Sequence, residues 1–181
     1  VFDGNAAFAL PAGDYTYQIE RGPEYAPAGG TLSVRAPKAE LKVTLRRIAN
    51  LAAGGWYAGD LHVHRSPEHM ELLTRAEDLQ VAPVVTWGNE PSVSFDGPRV
   101  RSFDGTRVLD LSAGEDERYG GALLFHRLSK PLELPPSVLE DGKIVQKPGK
   151  AGGEIPSALD FAKLARRESS AHVDIEKPFW W

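Results

Sequence analysis

Two histidines set two residues apart, in Asp60-Leu61-His62-Val63-His64, are the side chains of this sequence best suited to chemistry. On an extended backbone, side chains at i and i+2 leave the same face, so both imidazoles can reach one metal ion. A bound divalent ion acidifies water and polarises carbonyl or phosphoryl oxygens, and the pattern therefore points to metal-dependent hydrolysis. An exposed strand face or a satisfied polar pair gives the same alternation. Residues 55–64 are rich in aromatic and β-branched types, which predicts the strand that the metal reading requires.

Arg65-Ser66-Pro67 stops that strand. Ser66 suits an N-cap, Pro67 the first helical position, and Glu68 and Glu71 the positive end of the helix dipole, which predicts a helix to about Leu79. The histidines then sit where a strand hands over to a helix, the end at which ligands collect in parallel α/β sheets.

Composition narrows the alternatives. With 181 residues, 41% hydrophobic and 25% charged, the chain can bury one good core and a small appended module. A net charge of −4, with no Lys/Arg cluster interleaved with aromatics, provides no footprint for nucleic acid. No apolar run is long enough to span a bilayer, and no signal peptide is visible in the sequence. Cysteine is absent, so a metal must be held by histidine and carboxylate.

The elements around the histidines follow from pattern. Ala7–Leu10, Tyr15–Ile19, Thr31–Val34 and Leu41–Leu45 are short alternating segments with Gly/Pro turns, predicting β-sandwich strands over residues 1–48, too few to close a sandwich alone. Residues 49–55 read as a linker. From Trp56 onward strands and helices alternate: a buried strand over Leu79–Thr86 despite Pro83, then Val108–Leu111 and Ala122–Phe125 as a pair. Residues 135–156 lack periodicity and predict a loop or lid. Leu159, Phe161, Ala162, Leu164 and Ala165 recur at helical spacing, predicting an amphipathic helix ending near Arg167 whose apolar residues are core. A strand resumes at Ala171-His172-Val173-Asp174.

Several motifs in order carry a family resemblance: Gly55-Trp56-Tyr57 through His64, Ala76-Glu77-Asp78-Leu79, Val81 through Trp87, Gly114-Glu115-Asp116-Glu117-Arg118, Gly120 through Phe125, and Ala171 through Trp181. Together they resemble the CehA/McbA-type metallohydrolases of the PHP (polymerase and histidinol phosphatase) superfamily. Leu10-Pro11-Ala12-Gly13-Asp14-Tyr15 and Arg21-Gly22-Pro23-Glu24-Tyr25 are similar to the end of a carboxypeptidase-regulatory-like module. The resemblance implies an α/β fold: the N-terminal portion of a PHP-like distorted α/β barrel over 56–181, preceded by the last strands of a β-sandwich. It also implies that His62, His64, Glu115 and His172 are metal ligands, with Asp116 and Glu117 beside Glu115 as alternatives. The family's Thr-Asp-His is replaced here by Thr86-Trp87-Gly88-Asn89, which implies fewer metals, and the sequence stops at Trp181, before a final Asp-x-His.

The remaining polar residues have two readings each. Asp60 either orients a ligating imidazole through its second nitrogen or caps the strand end. Glu117 and Asp174 are candidate acids for proton transfer to a leaving group. His126 is either a further ligand of the wider superfamily or part of an alternating surface strand. Lys177 either contacts an anionic substrate or pairs with Glu176. His69 reads as exposed, and Trp180 and Trp181 as wall. The ligand set suits zinc, manganese or iron. The expected activity is hydrolysis of an ester, amide, carbamate or phosphoester in a small-molecule or glycan-like substrate; the resemblance implies a periplasmic or secreted protein, with a cytoplasmic one as the alternative. The competing expectation is a carbohydrate- or protein-binding module with a vestigial catalytic domain. Convergence of the proposed ligands separates the two.

Overall fold

The computed structural model describes residues 1–2, 4–35, 39–88, 93, 97–117, 121–133, 137–140, 143–146, 157–168 and 170–177, with backbone alone at 137–140 and 143–146. The fold is mixed α/β, built mostly of strands in open sheets, with two α-helices among the described residues. No helix among them is long and apolar enough to cross a membrane. The chain divides into two compact units, Val1–Gly59 with His69–Val81, and Asp60–Glu68 with Ala82–Trp181.

In the first unit β1 (Gly13–Ile19) and β2 (Ala28–Val34) form an antiparallel hairpin in register from Gly13↔Val34 to Ile19↔Ala28. Tyr15, Tyr17 and Ile19 are half-buried while their neighbours face water, the alternation expected of a sheet with one covered face. Helix α1 (Met70–Ala76) buries Met70 and Thr74. Arg47 joins these parts: it pairs with buried Glu24 at 2.7 Å and with Asp78 at 3.3 Å, while Arg21 reaches Asp78 at 3.2 Å. Both guanidinium groups lie over the Tyr25 ring, 5.2 and 5.4 Å from its centre.

Three local expectations change here. Leu41–Leu45 and Ala7–Leu10 are not strands; next to the former, among the described residues, the bridge Tyr25↔Arg47 forms, and Leu41 remains exposed. Alternation makes a strand only where a neighbour completes the ladder. Pro67 opens a short 3-10 turn, Pro67–His69, and α1 starts after it with no side-chain cap from Ser66. The helix ends before Leu79 because Asp78 adopts a left-handed conformation, φ 54°.

The second unit centres on a sheet in the order β3 (Val81–Gly88), β5 (Arg107–Asp116), β6 (Ala122–His126), β9 (His172–Lys177), with β4 (Val100–Phe103) also on β5. β5, β6 and β9 run antiparallel, with Glu115↔Leu124 and Leu124↔Asp174 in one row and His126↔His172 in another. Residues 135–156, which read as a loop in the sequence, contain among those described a hairpin of β7 (Ser137–Glu140) and β8 (Lys143–Gln146). Helix α2 (Ala158–Ala165) begins with a capping box between Ser157 and Asp160. Asn89, Arg118, Gly120, Pro156 and the segment from Pro178 to Trp181 lie outside the described residues.

Strand alternation divides this sheet into two constituencies. One face carries Gly114, Leu123, Phe125 and Val173, and there Trp87, Leu128, Phe161, Ala165 and Ala171 form the core, with the Trp87 and Phe125 rings stacked at 5.5 Å. Leu159, expected in that core, is 60% exposed, because α2 turns Phe161 and Ala165 inward instead. The opposite face carries Glu115, His126, His172 and Asp174.

Gly114 is what permits the core side: a Cβ there would stand 2.1 Å from the Trp87 indole. Trp87 is fixed in turn by its Nε1–H, which donates to the Ser112 carbonyl at 3.0 Å. Gly114→Ala is expected to lower unfolding stability by about 1–3 kcal/mol, read as a reduced urea midpoint. Gly105→Ala, at a turn with nothing within 4 Å, should cost less, about 1 kcal/mol from its positive φ alone.

Candidate metal centre

The segment Asp60–Glu68 is not a regular strand. It is held to β3 by the isolated parallel bridge Val63↔Val84 and by the Val85 amide donating to the Val63 carbonyl at 2.9 Å. Val63 is buried and inward, so its two neighbours project the other way together. The shared direction of the two imidazoles thus depends on one extended residue. The His62 and His64 ring centroids are 4.8 Å apart and their Nε2 atoms 2.8 Å apart. Asp60 accepts the His62 backbone N–H at 3.2 Å, which shapes the turn leading into the pair.

Glu115 meets them from β5. Its side chain is 3% exposed, with Oε1 3.1 Å from His62 Nε2 and Oε2 3.1 Å from His64 Nε2. β3 approaches so closely that a Cβ on Gly88 would lie 1.8 Å from the Glu115 carbonyl oxygen, and Gly88 has φ +125°, open only to glycine. Side-chain-free residues therefore flank Glu115 on both sides. His62, His64 and Glu115 each offer one donor atom within 4.8 Å of the others, the group among the described residues able to hold a metal ion.

Compared with known proteins, this chain matches no family model, no curated protein and no solved structure. Its site must be judged on its own donors. Ligands at about 2.0–2.1 Å in a tetrahedron stand roughly 3.3 Å apart. The Nε2 and carboxylate contacts of 2.8 and 3.1 Å lie just inside that spacing, so the donor set fits a small divalent ion with little movement. A carboxylate this buried also requires positive or proton-donating partners, and the Lys177 ammonium, 3.4 Å from Oε1, and the His64 imidazole facing Oε2 are such partners.

An irregularity in β9 adds two more groups. The pairing shifts between Ala122↔Lys177 and Leu123↔Ile175, leaving Glu176 as an extra residue. This bulge lets neighbours that would normally face opposite ways both reach the site. Glu176 Oε1 lies 3.5 Å from His62 Nδ1, and Lys177 Nζ lies 3.4 Å from Glu115 Oε1, 3.0 Å from Glu117 and 3.1 Å from Glu176. Partial burial, the largest influence on Lys177, opposes its charge. The hydrogen bonds to Glu117 and Glu176 and the charges of Glu115 and Glu117 outweigh that and hold the ammonium well above the usual lysine range. Glu117 thus reaches the edge of the site through Lys177.

His172 does not join the triad: it is exposed at the start of β9, its ring 6.0 Å from that of its cross-strand partner His126. Asp174 lies on the same sheet face, opposite Leu124. Asp116 is buried and points to the other face from Glu115, which identifies Glu115 within the acidic run as the residue turned to the histidines. His69 is exposed. Glu176 is the site residue that the sequence pattern does not reveal; beside Lys177 it looks like half of a surface ion pair, and the bulge leaves no signature in residue types.

His126 is 8% exposed, and its Nδ1 has no hydrogen-bond partner among the described residues. Burial lowers its pKa, opposed by nearby Asp110 and reinforced by His172. The folded state therefore binds fewer protons than the unfolded chain just below the ordinary value of about 6.5, and stability falls as pH drops through that window. Urea midpoints compared between about pH 7.5 and 5.5 should decline less in His126→Gln than in the parent protein.

Proposed function

We propose that this protein is a metal-dependent hydrolase of the CehA/McbA type, with the sheet of its second unit forming part of a PHP-like distorted α/β barrel. The observation that carries this reading is the convergence of His62, His64 and Glu115 on one point. Those residues are three of the four ligands that the family resemblance implies, and they come from segments far apart in sequence. A binding module has no need of such a constellation.

In this reading His62, His64 and Glu115 hold zinc, manganese or iron through two imidazole nitrogens and a carboxylate, a donor set that suits all three. When bound, such an ion supplies Lewis acidity and water with a pKa near neutrality. Glu176 steadies His62 from behind. Lys177 ties Glu117 beside Glu115, and Asp174 stands on the same sheet face; these two acids are the groups available to pass a proton to a leaving group. The reaction class is hydrolysis of an ester, amide, carbamate or phosphoester in a small-molecule or glycan-like substrate.

Metal analysis by inductively coupled plasma mass spectrometry should find about one equivalent of zinc, manganese or iron in the purified protein. His62→Ala/His64→Ala and Glu115→Ala should each lose it, and chelation should abolish turnover in a screen of esters, carbamates and phosphoesters. Equal metal in parent and variants, or none in the parent after reconstitution, would overturn the proposal.

A further inference from the structure

β9 presents two neighbouring residues of opposite charge to the same site, an arrangement that only its bulge allows. Glu176 lies against the far nitrogen of His62, while Lys177 lies against Glu115 Oε1, the oxygen that also faces His62 Nε2. We infer that Glu176 and Lys177 tune the cation affinity of the His62, His64 and Glu115 group in opposite directions. Glu176 is a positioning residue whose carboxylate faces Nδ1 of His62 and favours the proton there, and Lys177 is a resident positive charge that competes with the ion for Glu115. This inference rests on the metal-centre reading above.

The physics of each half is independent. An imidazole can bind metal through Nε2 only if its remaining proton sits on Nδ1, and a carboxylate behind Nδ1 fixes that tautomer, orients the ring and raises its basicity. Glu176 Oε1, 3.5 Å from Nδ1, is the carboxylate so placed, whereas Asp60 is engaged with a backbone amide. Lys177 acts through charge. Glu115, Glu117 and Glu176 surround it at 3.4, 3.0 and 3.1 Å, so three carboxylates face one ammonium. The remaining excess of two negative charges equals what a divalent cation brings. Removing the ammonium deepens the negative potential at Glu115 and must favour a cation there.

The test is the zinc affinity of the full chain, read by competition with a chromophoric chelator at low ionic strength. Glu176→Ala should weaken binding by about 10–100-fold, and Glu176→Gln, which keeps an oxygen acceptor without the charge, should recover part of the loss. Lys177→Met should tighten binding, by about tenfold for one like charge removed beside a divalent ion. In the metal-free protein, long-range proton–nitrogen spectra should show His62 with its proton on Nδ1, and Glu176→Ala should shift it towards Nε2. If Glu176→Ala folds poorly, Glu176→Gln and the spectrum decide. Unchanged affinities, or both substitutions moving affinity the same way, overturn the inference while leaving the metal centre intact, provided that His62→Ala/His64→Ala abolishes zinc binding. Absence of zinc binding in the parent overturns both.

Discussion

The structure of the second unit is organised by the burial of one carboxylate. Glu115 sits in the interior of a sheet with Oε1 facing His62 and Lys177 and Oε2 facing His64, and a carboxylate in such a place is tolerable only with partners of that kind. Every nearby feature serves the approach. Gly88 lets β3 pass its backbone at van der Waals distance, Gly114 makes room for the indole behind it, and Val63 turns two histidines towards it from a segment that has almost no ladder of its own.

Placing a charge next to a core is possible because β5 keeps its two faces distinct. Leu109, Leu111, Ala113 and Glu115 alternate with Asp110, Ser112, Gly114 and Asp116, and all are buried. Two polar members of the second set satisfy each other locally: Asp110 accepts from the Ser112 amide at 2.9 Å and from the Ser112 hydroxyl, and also from the Arg127 amide at 3.2 Å. A central strand covered on both faces therefore carries polar residues where a simple hydrophobic run would be expected.

Much of this arrangement is legible in the amino-acid sequence. The alternation of His62 and His64, a buried strand over Leu79–Thr86 that forms as Val81–Gly88, strands at Val108–Leu111 and Ala122–Phe125, the amphipathic helix and the final strand from His172 follow from periodicity and turn chemistry, although Val108–Asp110 pairs with β4 and β6 meets β5 further on, at Gly114–Asp116. What is not legible depends on partners. Leu41–Leu45 has the alternation of a strand but no neighbour to pair with, the histidine segment does its work through a single bridge, and Ser66 leaves the start of α1 uncapped. His172 has the right residue type and order, yet its register sets it opposite His126 rather than beside the triad. Glu176 stays hidden because a bulge is a property of two strands together.

The alternation of β5 also ties the core and the site to one choice of pairing. A slip of one residue between β5 and β6 would turn Glu115 into the space filled by Trp87 and Phe125, and would turn Gly114, which has nothing to offer, towards the histidines. Such a mispaired sheet would carry an uncompensated charge among aromatic rings and a void opposite two imidazoles. The residues of the site thus bear on assembly as well as chemistry: the carboxylate that could hold an ion favours the register of its own strand that turns it to the imidazoles.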